Sequence, residues 1–160
     1  MSTDGFTTCL WFDGRAEDAA HSYVSIFKNA SLGGITRYGE GAPFPAGTVL
    51  TVDFTLNGQR FVALNGGPQY SFTEAISFQI PCADQDEIDH YWTALTEDGG
   101  EPGPCGWLKD RFGVSWQVIP ERLPAMLSDP DTERAARVGQ ALMQMGKLDL
   151  AGLERAFDGT

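Results

Sequence analysis

The sequence predicts an α+β fold of two successive strand–helix–strands units followed by a helical extension. Three observations predict it. Leu50, Val52, Phe54 and Leu56 alternate with Thr51, Asp53 and Thr55, the period of a half-buried strand. Ala16, Ala20, Tyr23 and Phe27 recur at the spacing of one helical face. The same order of elements then returns after residue 74.

In the first unit, Phe6 to Phe12 reads as a short aromatic strand and Asp13-Gly14 as a turn. Arg15 to Lys28 reads as a helix, with Glu17 and Asp18 in the first turn where the helix dipole favours negative charge. Gly33 to Tyr38 reads as a strand and 39–47 as a Gly/Pro loop. Asn57-Gly58 then joins the alternating strand to Phe61–Leu64 as a hairpin.

In the second unit, Ala75 to Cys82 reads as a strand and Asp84 to Thr96 as a helix with Ile88, Tyr91, Trp92 and Leu95 on one face. Asp84 with Glu87 three residues on resembles a capping box. Cys105–Lys109 and Val114–Ile119 form a second hairpin through Phe112-Gly113. The two units form a weak internal duplication of roughly 70 residues each. Beyond residue 121 the style changes. Asp129-Pro130 reads as a helix start, Ala135, Val138, Leu142 and Met145 as an apolar stripe, and Asp149 as the cap of a last helix bearing Leu153 and Phe157. The stripe must cover its own sheet or a partner chain.

The 160 residues are 42% hydrophobic and carry a net charge of −11. A field of that sign repels phosphate backbones and anionic lipid, so neither nucleic acid nor membrane is expected as a partner. No basic start leads into an apolar run, and no stretch approaches the roughly 20 apolar residues of a membrane span. A cytoplasmic address is expected. Cys9, Cys82 and Cys105 form no CxxC pair, and an odd count argues against a disulfide framework. A reactive thiol needs a base or cation beside it. Cys105, next to the Lys109-Asp110-Arg111 turn, is the best of the three candidates. His21 and His90 sit on the predicted helices and read as partly exposed helix residues. The acidic cluster Asp84, Asp86, Glu87 and Asp89 reads as helix capping rather than a calcium loop.

Four strings in order carry a resemblance. They are Leu10-Trp11-Phe12-Asp13-Gly14-Arg15-Ala16-Glu17-Asp18-Ala19, Ala63-Leu64-Asn65-Gly66-Gly67-Pro68, Glu74-Ala75-Ile76-Ser77-Phe78, and Cys105-Gly106-Trp107 through Gly113-Val114-Ser115-Trp116-Gln117. Over about residues 6–120 the chain resembles the PhnB-like family, often labelled "3-demethylubiquinone-9 3-methyltransferase", of the vicinal-oxygen-chelate (glyoxalase/bleomycin resistance/dioxygenase) superfamily. The resemblance implies paired βαβββ modules (6–68 and 74–120, within a domain spanning 1–121), each a cupped mixed sheet, enclosing one cavity. Residues 122–160 are then a helical extension, and a homodimer is expected.

Metal-dependent relatives hold a divalent ion with His and Glu at four cavity positions. Those positions fall here on Thr8, Val62 or Ala63, Ser77 and Gln117, none of them a strong ligand. No metal and no cofactor is expected. No parallel βαβ run with a glycine-rich turn supports a doubly wound methyltransferase fold, because Gly33-Gly34 and Gly66-Gly67 read as turns.

Strand alternation from Thr8 and Gln117 sets Leu10, Phe12, Ser115 and Ile119 toward the cavity, with Ser77 and Gln79 adding polar points and Trp11 and Trp116 under the helices. The expected function is binding of a small, partly apolar molecule in the sheet cavity. The alternatives are a non-catalytic dimeric interaction module, and a methyltransferase or metal-dependent lyase or dioxygenase as the family and superfamily imply.

Overall fold

The computed structural model describes residues 5–160, which form two compact units dividing between Phe72 and Thr73. In the first, β1 (Thr8–Phe12), α1 (Ala16–Ile26), β2 (Ala30–Arg37), β3 (Val49–Leu56) and β4 (Gln59–Asn65) make a four-stranded mixed sheet of order β1-β4-β3-β2. β1 runs parallel to β4, and the other pairs are antiparallel. Asn57 and Gly58 both take positive φ, as a type I′ turn requires, so the hairpin forms where Asn-Gly predicts it.

Register decides which face is core. Phe54 pairs with Phe61, and Phe61 with Thr8; Val52, Ala63 and Leu10 share the next file. Tyr23 of α1 lies 5.9 Å from Phe54, which stacks on Phe61 at 5.1 Å. The helix therefore covers the face carrying Thr8, Leu10 and Phe12. Asn65, in register with Phe12, marks the same face, because its Oδ1 accepts from the Ala16 backbone N–H at the start of α1. The expected helical stripe of Ala16, Ala20, Tyr23 and Phe27 is buried against this face.

The second unit repeats the plan: β5 (Phe78–Cys82), α2 (Gln85–Thr96), β6 (Glu101–Pro102), β7 (Trp107–Lys109) and β8 (Ser115–Pro120), in sheet order β5-β8-β7-β6. Asp84 accepts from Glu87 N at 2.9 Å, and the Glu87 carboxylate accepts from Ala83 N. This closes the helix start as the sequence anticipates, with the return bond one residue earlier than in the standard box. Phe78, Ile80 and Cys82 pair with Trp116, Val118 and Pro120. These face Ile88, Tyr91 and Leu95 of α2 in the core.

The extension forms α3 (Leu123–Leu127), α4 (Thr132–Leu142) and α5 (Leu150–Asp158) and belongs to the second unit. The cap of α4 is Asp131, whose side chain accepts from Glu133 N and Arg134 N. Asp129, the expected cap, instead accepts from Asp131 N and turns the chain into it. The apolar stripe covers its own module: Leu123, Met126, Val138, Leu148 and Leu153 pack with Ile119. Gln85 of α2 ties the extension down twice, donating to Leu148 O and accepting from Leu150 N. Among the described residues no helix is long and apolar enough to cross a membrane.

Candidate functional site

Each sheet has one face under its helix and one face turned away. In the first unit the turned-away face carries Cys9, Trp11, Val62 and Leu64. This reverses the expected phase of β1. Leu10 and Phe12 are buried beneath α1, and Thr8 stands in their file, while Trp11 lies on the opposite face. The reason is local. Trp11 needs no helix cover, because Gly66, Gly67 and Tyr70 shelter it. Its indole donates to Gly67 O at 2.8 Å, and its ring meets Tyr70 edge-on at 5.0 Å. A Cβ on Gly66 would lie 2.4 Å from that ring, so glycine is what lets the indole lie flat there.

In the second unit the expected phase and the observed one agree. Trp116 packs in the core, while Gln79, Ser115 and Gln117 belong to the turned-away face with Trp107 and Lys109. Gln117 Nε2 donates to Ser77 Oγ at 2.8 Å, and Gln79 Nε2 approaches Gln117 Oε1 at 3.4 Å. Ile119, expected on the cavity side, is instead sealed by the extension.

Beside this polar file lies a cleft of about 420 Å³, lined by Glu74, Glu101, Pro102, Trp107, Lys109, Ser115 and the 103–105 loop. That size suits a small organic molecule. Its walls are mostly ring and aliphatic carbon. Two features give it chemistry. Lys109 Nζ pairs with the Glu74 carboxylate, which lies below the usual range through that hydrogen bond, while Lys109 is raised above its own. Ser115 is 1% exposed, and its Oγ has no hydrogen-bond partner. A buried hydroxyl without a partner carries an uncompensated desolvation cost.

The β7–β8 turn between the cleft residues Lys109 and Ser115 is held by one buried carboxylate. Buried Asp110 organises the β7–β8 turn: Oδ1 accepts from Phe112 N and Val114 N, and Oδ2 from Trp116 Nε1. The signal was present as an aspartate two residues ahead of Phe112 at a Phe-Gly turn, the Asx-turn spacing.

Of the thiols, Cys9 is exposed and Cys82 buried; Cys105 is half-buried on the cleft loop. Burial, helped by Glu87, Asp84 and Glu121, pushes the Cys82 thiol up to about 12, so it stays protonated. His21 and His90 are exposed on α1 and α2. Among the described residues no three His, Cys, Asp or Glu side chains gather as a metal site. The amides of Gln79 and Gln117 and the Ser77 hydroxyl are spent on one another and do not suit a divalent cation.

Two βαβββ modules, each with a four-stranded mixed sheet and a covering helix, define a protein of the vicinal-oxygen-chelate superfamily. Residues 4–119 match the sequence model of the 3-demethylubiquinone-9 3-methyltransferase family, and the chain belongs to that PhnB-like family. A Bacillus cereus PhnB protein bearing that methyltransferase name is 36% identical, with a TM-score of 0.65; the match covers 73% of this chain and 99% of that one. Protein PA1353 from Pseudomonas aeruginosa is similar in fold, at 21% identity and a TM-score of 0.61, over 74% of this chain and 98% of that one. The fosfomycin resistance protein FosX from Listeria monocytogenes, solved with Mn(II) and sulfate, shares the fold at 16% identity and a TM-score of 0.50, over 75% and 93% of the two chains. No curated protein matches the chain.

Proposed function

We propose that the chain binds a small, neutral, partly apolar ring compound in the second unit's cleft, without a divalent metal. The unpartnered Ser115 hydroxyl carries the reading. Turned from its buried position toward the cleft that Ser115 borders, it would donate to or accept from one ligand oxygen and so remove the cost of its burial. Trp107 and the prolines offer a flat apolar bed; Lys109 is paired with Glu74, and Glu101 leaves the lining with a surplus negative charge that disfavours an anionic ligand. Binding stands ahead of turnover in this reading, because no carboxylate–histidine pair stands at the cleft to move a proton.

The test is thermal unfolding against a panel of neutral phenols and quinones, since a compound that binds only the native state raises Tm. At least one, with 2-naphthol as the reference probe, should raise Tm for the parent and not for Trp107→Ala or Ser115→Val. A panel that leaves Tm unmoved, or hits that survive both substitutions, would reject the cleft as the ligand site.

A further inference from the structure

We propose that the C-terminal extension sets the selectivity of this cleft from behind its wall: residues 143–148 hold the 103–106 loop, and with it the Cys105 thiol, at the edge of the ligand space. The proposal rests on reading the cleft as a ligand site. The family's sequence model ends at residue 119, and 73% of this chain suffices to cover 99% of the Bacillus cereus relative. The module can therefore close without the extension. Here, however, the loop that lines the cleft takes its shape from it. Cys105 N donates to Met145 O at 2.7 Å, and Gly106 N to Gly146 O at 2.8 Å. Cys105 sits at φ 59°, in the left-handed region that side-chain-bearing residues seldom occupy unless their surroundings hold them there.

Two side-chain contacts complete the clamp. A Cβ on Gly106 would come within 2.8 Å of Val118 O and 3.1 Å of Leu148, so Leu148 presses directly on the loop backbone. Met143 Sδ lies 3.9 Å from Cys105 Sγ. Thiol and thioether are polarisable, and thioethers make favourable contacts with aromatic rings. The extension thus backs the cleft-lining Cys105 thiol with a thioether, Met143, from outside the family module. The ligand class this favours is an aromatic ring whose far edge is polarisable, through a fused ring, sulfur or halogen.

The experiment uses the full-length chain carrying Cys9→Ser, so that Cys105 is the accessible thiol; Cys82 is buried and protonated. Two quantities are read: the iodoacetamide alkylation rate of Cys105 and the Kd for 2-naphthol. Leu148→Ala, studied well below its Tm, should speed alkylation and weaken the probe by about tenfold each, as local opening of the loop requires. Adding Met143→Cys and oxidising it to a disulfide with Cys105 should return the Kd toward the parent value. Should Leu148→Ala fail to fold, Met143→Ala replaces it, because Met143 is 70% exposed and its loss leaves the core intact. That variant should weaken the probe by about threefold.

Alkylation and Kd both staying within about twofold of the parent in a folded variant would overturn the selectivity role while leaving the cleft standing. A parent that binds no neutral phenol while Leu148→Ala still speeds alkylation would overturn the cleft reading, and with it the selectivity role, leaving only a mechanical clamp.

Discussion

The two modules share one plan and differ in how they treat the sheet face that their helix leaves uncovered. In the first, that face is finished locally: Trp11 is sheltered by Gly66, Gly67 and Tyr70, and its one polar atom is satisfied. The first unit's own hollow, of about 300 Å³, is bordered by the carboxylates of Asp13, Glu17 and Asp18 and has its Tyr38 and Asn65 groups paired. Tyr38 donates to Asn65 O, and the Asn65 amide accepts from Ala16 N and donates to Val49 O. In the second module the face keeps one buried, unpartnered hydroxyl at Ser115 and is closed at Ile119 by the extension. Duplicated modules need not share a function. In the proposed reading, the module with an unpartnered polar atom beside apolar walls is the one that takes the ligand.

The largest way to break this contrast is Asp110→Ala. It strands three donors, including the Trp116 indole, and should cost about 3–5 kcal/mol in urea unfolding. A loss below about 1 kcal/mol would mean the β7–β8 turn is not built on this carboxylate.

The next effect separates the faces of β1. Leu10→Ala should cost roughly 3 kcal/mol as a core truncation. Cys9→Ser, one residue away on the other face, should stay within about 0.5 kcal/mol. Equal costs would mean the register places the helix on the wrong side.

Ser115→Ala should have a small effect of the opposite sign. Removing a buried hydroxyl that bonds to nothing should stabilise the free protein by up to about 1 kcal/mol while abolishing the ligand's Tm shift. A clear destabilisation would show that the hydroxyl already has a structural partner.

The smallest effect is electrostatic. Glu74 is held low by Lys109, so its contribution is present above the ordinary glutamate range and fades as pH falls through the lowered value. Lys109 is raised by Glu74, so its contribution is present below the ordinary lysine range and fades as pH climbs through the raised value. The gap in urea midpoint between the parent and Glu74→Gln should therefore be flat from about pH 5 to about pH 10 and close on either side. Because the pair is exposed, the gap itself should be small. A gap that grows in acid would contradict the pairing.

Much of the fold was legible because its signals are local. The Asn57-Gly58 turn, the Ala16–Phe27 stripe and the Asp84/Glu87 helix start each depend on residues close together in sequence. The phase of β1 was not legible, because Leu10, Trp11 and Phe12 are all apolar and the polar residue used as a mark, Thr8, stands at the strand's edge in the helix-side file. The deciding bond, Ala16 N to Asn65, spans the whole module. In β8 polar Gln117 supplied the mark, and the expected orientation of Trp116, Ser115 and Gln117 matches the structure. Cys105 could be singled out by its neighbours in sequence. Its place on the cleft wall depends on pairing with Met145, forty residues later, which no local pattern announces.

The most direct measurement follows the indole signals of the four tryptophans by NMR while 2-naphthol is titrated into the full-length protein. The account predicts that the Trp107 indole shifts strongly and saturably while the sheltered Trp11 indole stays put. Shifts centred on Trp11, with Trp107 unmoved, would place ligand binding on the first module and contradict the account.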